Sequence, residues 1–116
     1  MSPMNTQIHT EFDIRFLGEQ DGRVEQDLKT LWRPILAKCL TAKRGYLALV
    51  SYDRAVTFQP VLCIRHEGGD DRELAEALSM PFHQMFSSSQ ALDIMFLSPE
   101  KEAELTKVCR AFYDAA

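Results

Sequence analysis

Hydrophobic and polar positions change period several times along the chain. Phe12, Ile14 and Phe16 alternate with Asp13 and Arg15, the period-two signature of a strand with one dry face. Gly18 and the Asp21-Gly22 pair break that pattern. From Val24 the spacing turns helical: Val24, Leu28, Leu31, Ile35 and Cys39 form a stripe that Trp32 and Leu36 widen. Glu25, Lys29 and Arg33 follow four apart on the other side, acid before base. Pro34 removes one helical donor and crowds the preceding turn, which predicts a kink near Thr30 to Pro34 or two short helices.

Two β-rich runs follow, Gly45 to Tyr52 and Val61 to His66, with Pro60 where a missing donor is tolerated. The stretch from Asp53 to Thr57 is short enough for a hairpin. After Glu67-Gly68-Gly69, Asp70 is placed to cap a second helix, with Glu73 three residues later in reciprocal position. Leu74, Leu78, Phe82, Met85 and Phe86 supply its buried stripe, and Pro81 predicts a second break. Ser87 to Gln90 reads as a loop, and Leu92, Ile94 and Phe96 as a fourth strand. Ser98-Pro99-Glu100 is a helix start, leading into an apolar face of Leu105, Val108, Cys109, Phe112 and Tyr113.

The predicted order is β-α-β-β-α-β-α, an α+β chain. Its first six elements match the ferredoxin-like, split β-α-β plan, with a four-stranded sheet in the order 4-1-3-2 and an extra C-terminal helix. Residues 1–10 are polar and unpatterned, a disordered tail by expectation, and residues 11–116 form one domain. In that sheet order, Arg15 and Asp93 would share a face and pair. The helix-free face would also carry Leu17, Met95 and Leu97, so something must cover it: the last helix, a second subunit or a partner.

Apolar residues make up 46% of the 116 and charged residues 26%, near the globular average, which excludes a mostly disordered chain. The formal net charge of −4 disfavours phosphate backbones and anionic membranes. Arg23 to Arg44 is basic and Arg65 to Glu76 acidic, yet neither is a run of like charge. No apolar stretch reaches the length of a membrane span, and Met1 to Thr10 lacks the n- and h-regions of a secretory signal. Cys39, Cys63 and Cys109 are odd in number, widely spaced and set in apolar stripes. They read as buried, reduced thiols, which makes cytoplasmic the expected location.

Candidate chemistry is thin. His66-Glu67-Gly68-Gly69-Asp70-Asp71 gathers potential metal ligands, but without the ordered spacing of a calcium loop, and His9 and His83 add no evident geometry. A glycine turn feeding a capped helix explains the same residues, so no metal is expected. The cysteines lie in core stripes rather than beside a base, and Ser87 to Ser89 lack a nucleophile elbow. His83, next to Phe82, reads as a helix-flank residue. Phosphate at the Gly68-Gly69 turn would meet Glu67, Asp70 and Asp71. Lys43-Arg44-Gly45-Tyr46 opens like an RNA-recognition strand, but Leu47 and Ala48 then depart from that signature. No nucleic-acid partner, cofactor or catalytic residue is expected.

The path from Phe16-Leu17-Gly18 through the first helix to Arg44-Gly45-Tyr46-Leu47-Ala48 resembles the C-terminal domain of the SseB (enhanced serine sensitivity) proteins. Leu92-Asp93-Ile94 and Ala111-Phe112-Tyr113 continue the likeness over roughly residues 12 to 114. The resemblance implies a bacterial cytoplasmic protein of undefined function, and it carries over no catalytic residue. In that family the domain usually follows an SseB N-terminal domain, and the expectation here is of this domain without one.

The functional expectation is therefore a non-enzymatic protein-interaction module, binding a protein partner or itself as a homodimer. Its expected surface comprises Arg15, Leu17, Asp93, Met95, Leu97, Phe112 and Tyr113. The alternatives are a secretion-chaperone-like or inhibitor protein, and an enzyme with an unrecognised site.

Overall fold

A computed structural model describes residues 6–9, 14–52, 59–86 and 92–115. The elements are β1 (Thr6–His9), β2 (Ile14–Glu19), α1 (Arg23–Ala37), β3 (Ala42–Tyr52), β4 (Gln59–His66), α2 (Arg72–Met85), β5 (Leu92–Leu97), α3 (Pro99–Leu105) and β6 (Tyr113–Asp114). They make an α+β fold with one mixed sheet in the order β1-β5-β4-β3-β2, and β6 pairs with β3. The β3–β4 ladder is antiparallel, as the hairpin reading requires; the connecting residues 53–58 and the expected loop 87–90 lie outside the described residues.

The sheet corrects the expected topology. β5 pairs in parallel with β4 and not with β2, so the split β-α-β order does not form. Arg15 on β2 and Asp93 on β5 are separated by β3 and β4, and the expected pair is absent. Both orders satisfy the same apolar alternation, because period two reports which residues face inward and not which strands adjoin. Within the stretch expected as a disordered tail, Thr6–His9 pair in parallel with Leu92–Met95; residues 1–5 and 10 lie outside the described residues.

The two faces of the sheet build two cores. On one face α1 and α2 lay Leu28, Trp32, Leu36, Leu74, Leu78 and Phe82 against Leu47, Leu62, Ile64, Ile94 and Phe96. Trp32 has no exposed surface, and its indole N–H donates to the Leu78 carbonyl at 2.8 Å. The other face presents Tyr46, Val50, Val61, Cys63, Met95 and Leu97, closed over by Leu105 and Cys109. The chain's own C-terminal segment thus covers the second face, but not as the long helix expected. α3 stops at Leu105. The chain then passes the sheet edge, so Phe112 and Tyr113 pack against the first core.

That crossing depends on Gly45. The Phe112 N–H donates to the Gly45 carbonyl at 2.9 Å, and a Cβ on Gly45 would stand 2.9 Å from Leu36 Cδ1 and 3.2 Å from Phe112 Cζ. Arg33 Nε donates to the Phe112 carbonyl at 2.9 Å, tying the crossing strand to α1.

Helix details also depart from the pattern. α1 and α2 run through Pro34 and Pro81 without interruption; the carbonyl that Pro34 leaves unpaired belongs to Thr30, an exposed residue, where water can satisfy it. The buried stripe of α1 is Leu28, Lys29, Trp32 and Leu36, rotated away from Val24 and Leu31, which are exposed. Lys29, expected on the wet side, is buried and places its ammonium 2.8 Å from Asp21 and 3.6 Å from Glu19. Asp71, not Asp70, caps α2 by accepting from the Leu74 N–H at 3.1 Å. The Ser98 cap with Pro99 in the first turn forms as its residues predict.

Candidate functional site

Three places gather side chains capable of chemistry or recognition. The first is at the end of β4. The chain turns through Glu67 to Gly69, and Gly69 adopts φ +78°, a left-handed conformation favouring glycine. This turn carries Asp71 back toward His66, while the C-terminal end of α1 brings up Cys39. The thiol, an imidazole nitrogen and a carboxylate oxygen lie within 4.8 Å of one another. His66 Nε2 is 2.8 Å from the Thr41 hydroxyl and 3.1 Å from Asp71 Oδ2, and Thr41 Oγ1 is 3.4 Å from Cys39 Sγ. The sequence motif had linked His66 with Asp71, but nothing in it linked Cys39, which arrives through the tertiary fold.

The hydrogen-bond pattern decides what this cluster can do. The Gly68 N–H donates to His66 Nδ1 at 3.1 Å. The neutral ring then carries its proton on Nε2, aimed at Thr41 and Asp71. A metal ion would need that nitrogen bare and would put an Nδ1 proton against the Gly68 donor, the reverse of a supporting outer shell. A cysteine nucleophile also needs an unprotonated nitrogen facing sulfur. The arrangement is suited to locking a turn.

The second place is under α3. Glu102 is buried and accepts from Arg44 at 2.5 and 3.0 Å and from the Tyr46 hydroxyl at 2.6 Å. Arg65 Nε approaches it at 3.5 Å. The Arg44 bonds hold the Glu102 carboxyl below the usual carboxylate range against the opposing effect of burial. Burial, then the bond to Glu102, drives the Tyr46 phenol upward. Tyr46, the aromatic of the RNA-like motif, is 2% exposed and has no face for a base. An open depression of about 650 Å³ adjoins Arg44, Tyr46 and Glu102, where the Glu102 carboxylate is already engaged by Arg44 and the Tyr46 hydroxyl.

The third place is an apolar cleft of about 370 Å³ between the N-terminal half of α1, the C-terminal end of α2 and the sheet. Trp32, Leu47 and Leu92 line it from the core, Phe82 and Phe86 from α2, and Val24 and Glu25 from the rim. Glu25 is the one charged residue among the described residues of that lining. Clefts of this size with aromatic walls and few polar groups are the usual form of a ligand or anchor-residue site. The sequence pattern contained the apolar residues but assigned Val24 to the core stripe.

The seven residues of the expected interaction surface do not assemble. Met95 and Leu97 are 0% and 4% exposed, covered by the C-terminal segment, and cannot present a surface. Asp93 is also buried. Arg15 and Leu17 are exposed on β2, where a register shift between Phe16 and Gly18 sets Leu17 in a bulge. Phe112 and Tyr113 are half-buried against the α1 side. Of the cysteines, Cys63 and Cys109 are buried and Cys39 is half-buried. His83 stands edge-on to Phe82 at 5.5 Å between ring centroids.

No helix among the described residues is long and apolar enough to cross a membrane. No protein-family model, curated protein or solved structure matches the chain.

Proposed function

We propose that this protein is a non-enzymatic protein-interaction module that takes an apolar anchor residue of a partner into the cleft between α1 and α2. The SseB resemblance adds a bacterial, cytoplasmic setting to that proposal. The observation that carries it is the cleft itself, with its aromatic walls and exposed Val24 at the rim. Aromatic and aliphatic anchors seated in such pockets supply most of the affinity of protein contacts. Glu25 at the rim favours a basic residue beside the anchor. Against an enzymatic reading stands the His66 hydrogen-bond pattern, which occupies the ring proton in the turn.

Calorimetric titration with short peptides carrying a central Phe or Leu flanked by Lys tests the proposal. Binding that is lost in Val24→Glu, and weaker for peptides with Glu in place of Lys, is the expected result. Absence of binding at millimolar peptide, or equal binding by both peptide sets and the variant, overturns it.

A further inference from the structure

The cleft is one end of a longer seam between the two long helices. α1 and α2 run antiparallel: the first half of α1 meets the end of α2 around the cleft, and the end of α1 meets the start of α2 around a second hollow of about 450 Å³. Ile35, Leu74 and Ala77 line that hollow together with Lys38, Asp71 and Glu73. On α1 the linings run over residues 24–32 and 35–39, with centres about ten residues or 15 Å apart. On α2 the cleft takes Phe82 and Phe86 and the second hollow Glu73 to Ala77, again about ten residues and 15 Å.

Apolar surface joins the two hollows. Val24, Leu31 and Lys38 recur every seventh residue of α1, and Glu73, Ala77 and Met80 follow at four and three on α2, so each set shares one helix face. Leu31 and Met80 fall midway along the seam and are 44% and 54% exposed. A ligand lying there meets no unpaired sheet edge, so it must satisfy its own backbone groups, as a helix does and an extended strand does not. Three turns of helix take about eleven residues and rise about 16 Å, which brings side chains at i and i+11 to the same side and to the spacing of the hollows. Side chains at about i+4 and i+7 would then lie over Leu31 and Met80. Among the described residues, the two linings hold Glu25, Asp71 and Glu73 against Lys38 alone, and the exposed Asp27 lies on the same α1 face. Lys or Arg beside the apolar stripe of the ligand complements that excess of carboxylates.

We infer, building on the cleft as the anchor site, that the partner presents a basic amphipathic helix along the α1–α2 seam, its second anchor about eleven residues from the first and seated among Ile35, Leu74 and Ala77.

Calorimetric titration with Ala/Lys helices tests this. One helix carries a single Phe; three others add a Leu about seven, eleven or fourteen residues later, spacings that keep both side chains on one face and set them about 10, 16 or 21 Å apart. The helix spaced at eleven should bind about tenfold or more tighter than the other three. Ala77→Glu, at an exposed position, should remove that gain and leave binding of the single-Phe helix as it was. A proline midway between the anchors should remove the gain as well. A second anchor that adds nothing, a gain greatest at another spacing, or one indifferent to Ala77→Glu or to the proline overturns the inference, while binding of the single-Phe helix still upholds the cleft. Failure of every helix to bind, the single-Phe one included, refutes the cleft and the seam together.

Discussion

Glu102→Gln is the most informative change in the interior, because it removes one charge and almost no volume. The carboxylate collects the Arg44 fork, the Tyr46 hydroxyl and the Arg65 guanidinium. Hydrogen bonds to a charged group contribute about 1.5–3 kcal/mol each, against roughly 1 for neutral ones. The amide keeps one acceptor but turns a donor toward the remaining donors. Arg44 and Arg65 are 34% and 23% exposed, so water recovers part of what they lose. The net cost is about 2–3 kcal/mol, a fall in Tm of about 10 °C for a domain of this size. Tyr46→Phe alone should cost about 1.5 kcal/mol. The double variant should be less destabilised than the sum, by about 1 kcal/mol, because both changes act on one network.

The same residue gives a pH signature. Its folded-state pKa is depressed, so its stabilisation is complete above the ordinary carboxylate value of about 4.3. It is lost as pH falls through the lower folded value. Urea midpoints of the wild type should therefore drop below about pH 4.5, and Glu102→Gln should show a shallower drop. Some slope remains from two other lowered carboxyls. At Glu19 burial opposes the shift but Arg110 and Lys29 prevail, and at Asp21 the Lys29 bond dominates. A variant within about 0.5 kcal/mol of wild type, or with an unchanged acid slope, would show that α3 is held by Leu105 packing alone.

Two further perturbations probe the C-terminal crossing. Gly45→Ala puts a methyl group against Leu36 and Phe112 and should cost about 1–3 kcal/mol by thermal unfolding; a neutral result would mean that the crossing strand is free to shift. Cys109 is buried against Leu47 and Leu105, and burial with Glu19 nearby raises its thiol pKa to about 11. Maleimide labelling at pH 7 should modify Cys39 first and Cys109 only when denaturant is added; early labelling of Cys109 would mean that the second face is open.

The sequence disclosed the second core only in part. Alternation in Leu92 to Leu97 located a strand, and the surplus of apolar residues on its far side called for a cover, which the last segment, one of the three occupants expected, supplies. Helical spacing from Leu105 to Tyr113 did not reveal that the helix ends at Leu105, because the turn at 106–108 keeps Cys109 facing inward. Strand order was hidden for a different reason. The β4–β5 pairing depends on where α2 returns the chain, and inward-facing periodicity is the same for either neighbour. At the candidate cleft, Leu28, Trp32 and Phe82 were legible as core residues. Their concavity was not, since it follows from α1 rotating to bury Lys29 and expose Val24. Lys29 escaped recognition because its stem is apolar and its charge is met by Glu19 and Asp21, residues before the helix.

The claim that the cleft receives a partner's anchor residue is tested most directly by methyl-resolved NMR during titration with the Phe- and Lys-bearing peptide. The largest shifts should fall on Val24, Leu28 and Leu92, while Val61, Leu97 and Leu105 on the opposite face stay in place. Shifts concentrated on that second face, or none at saturating peptide, would contradict the account.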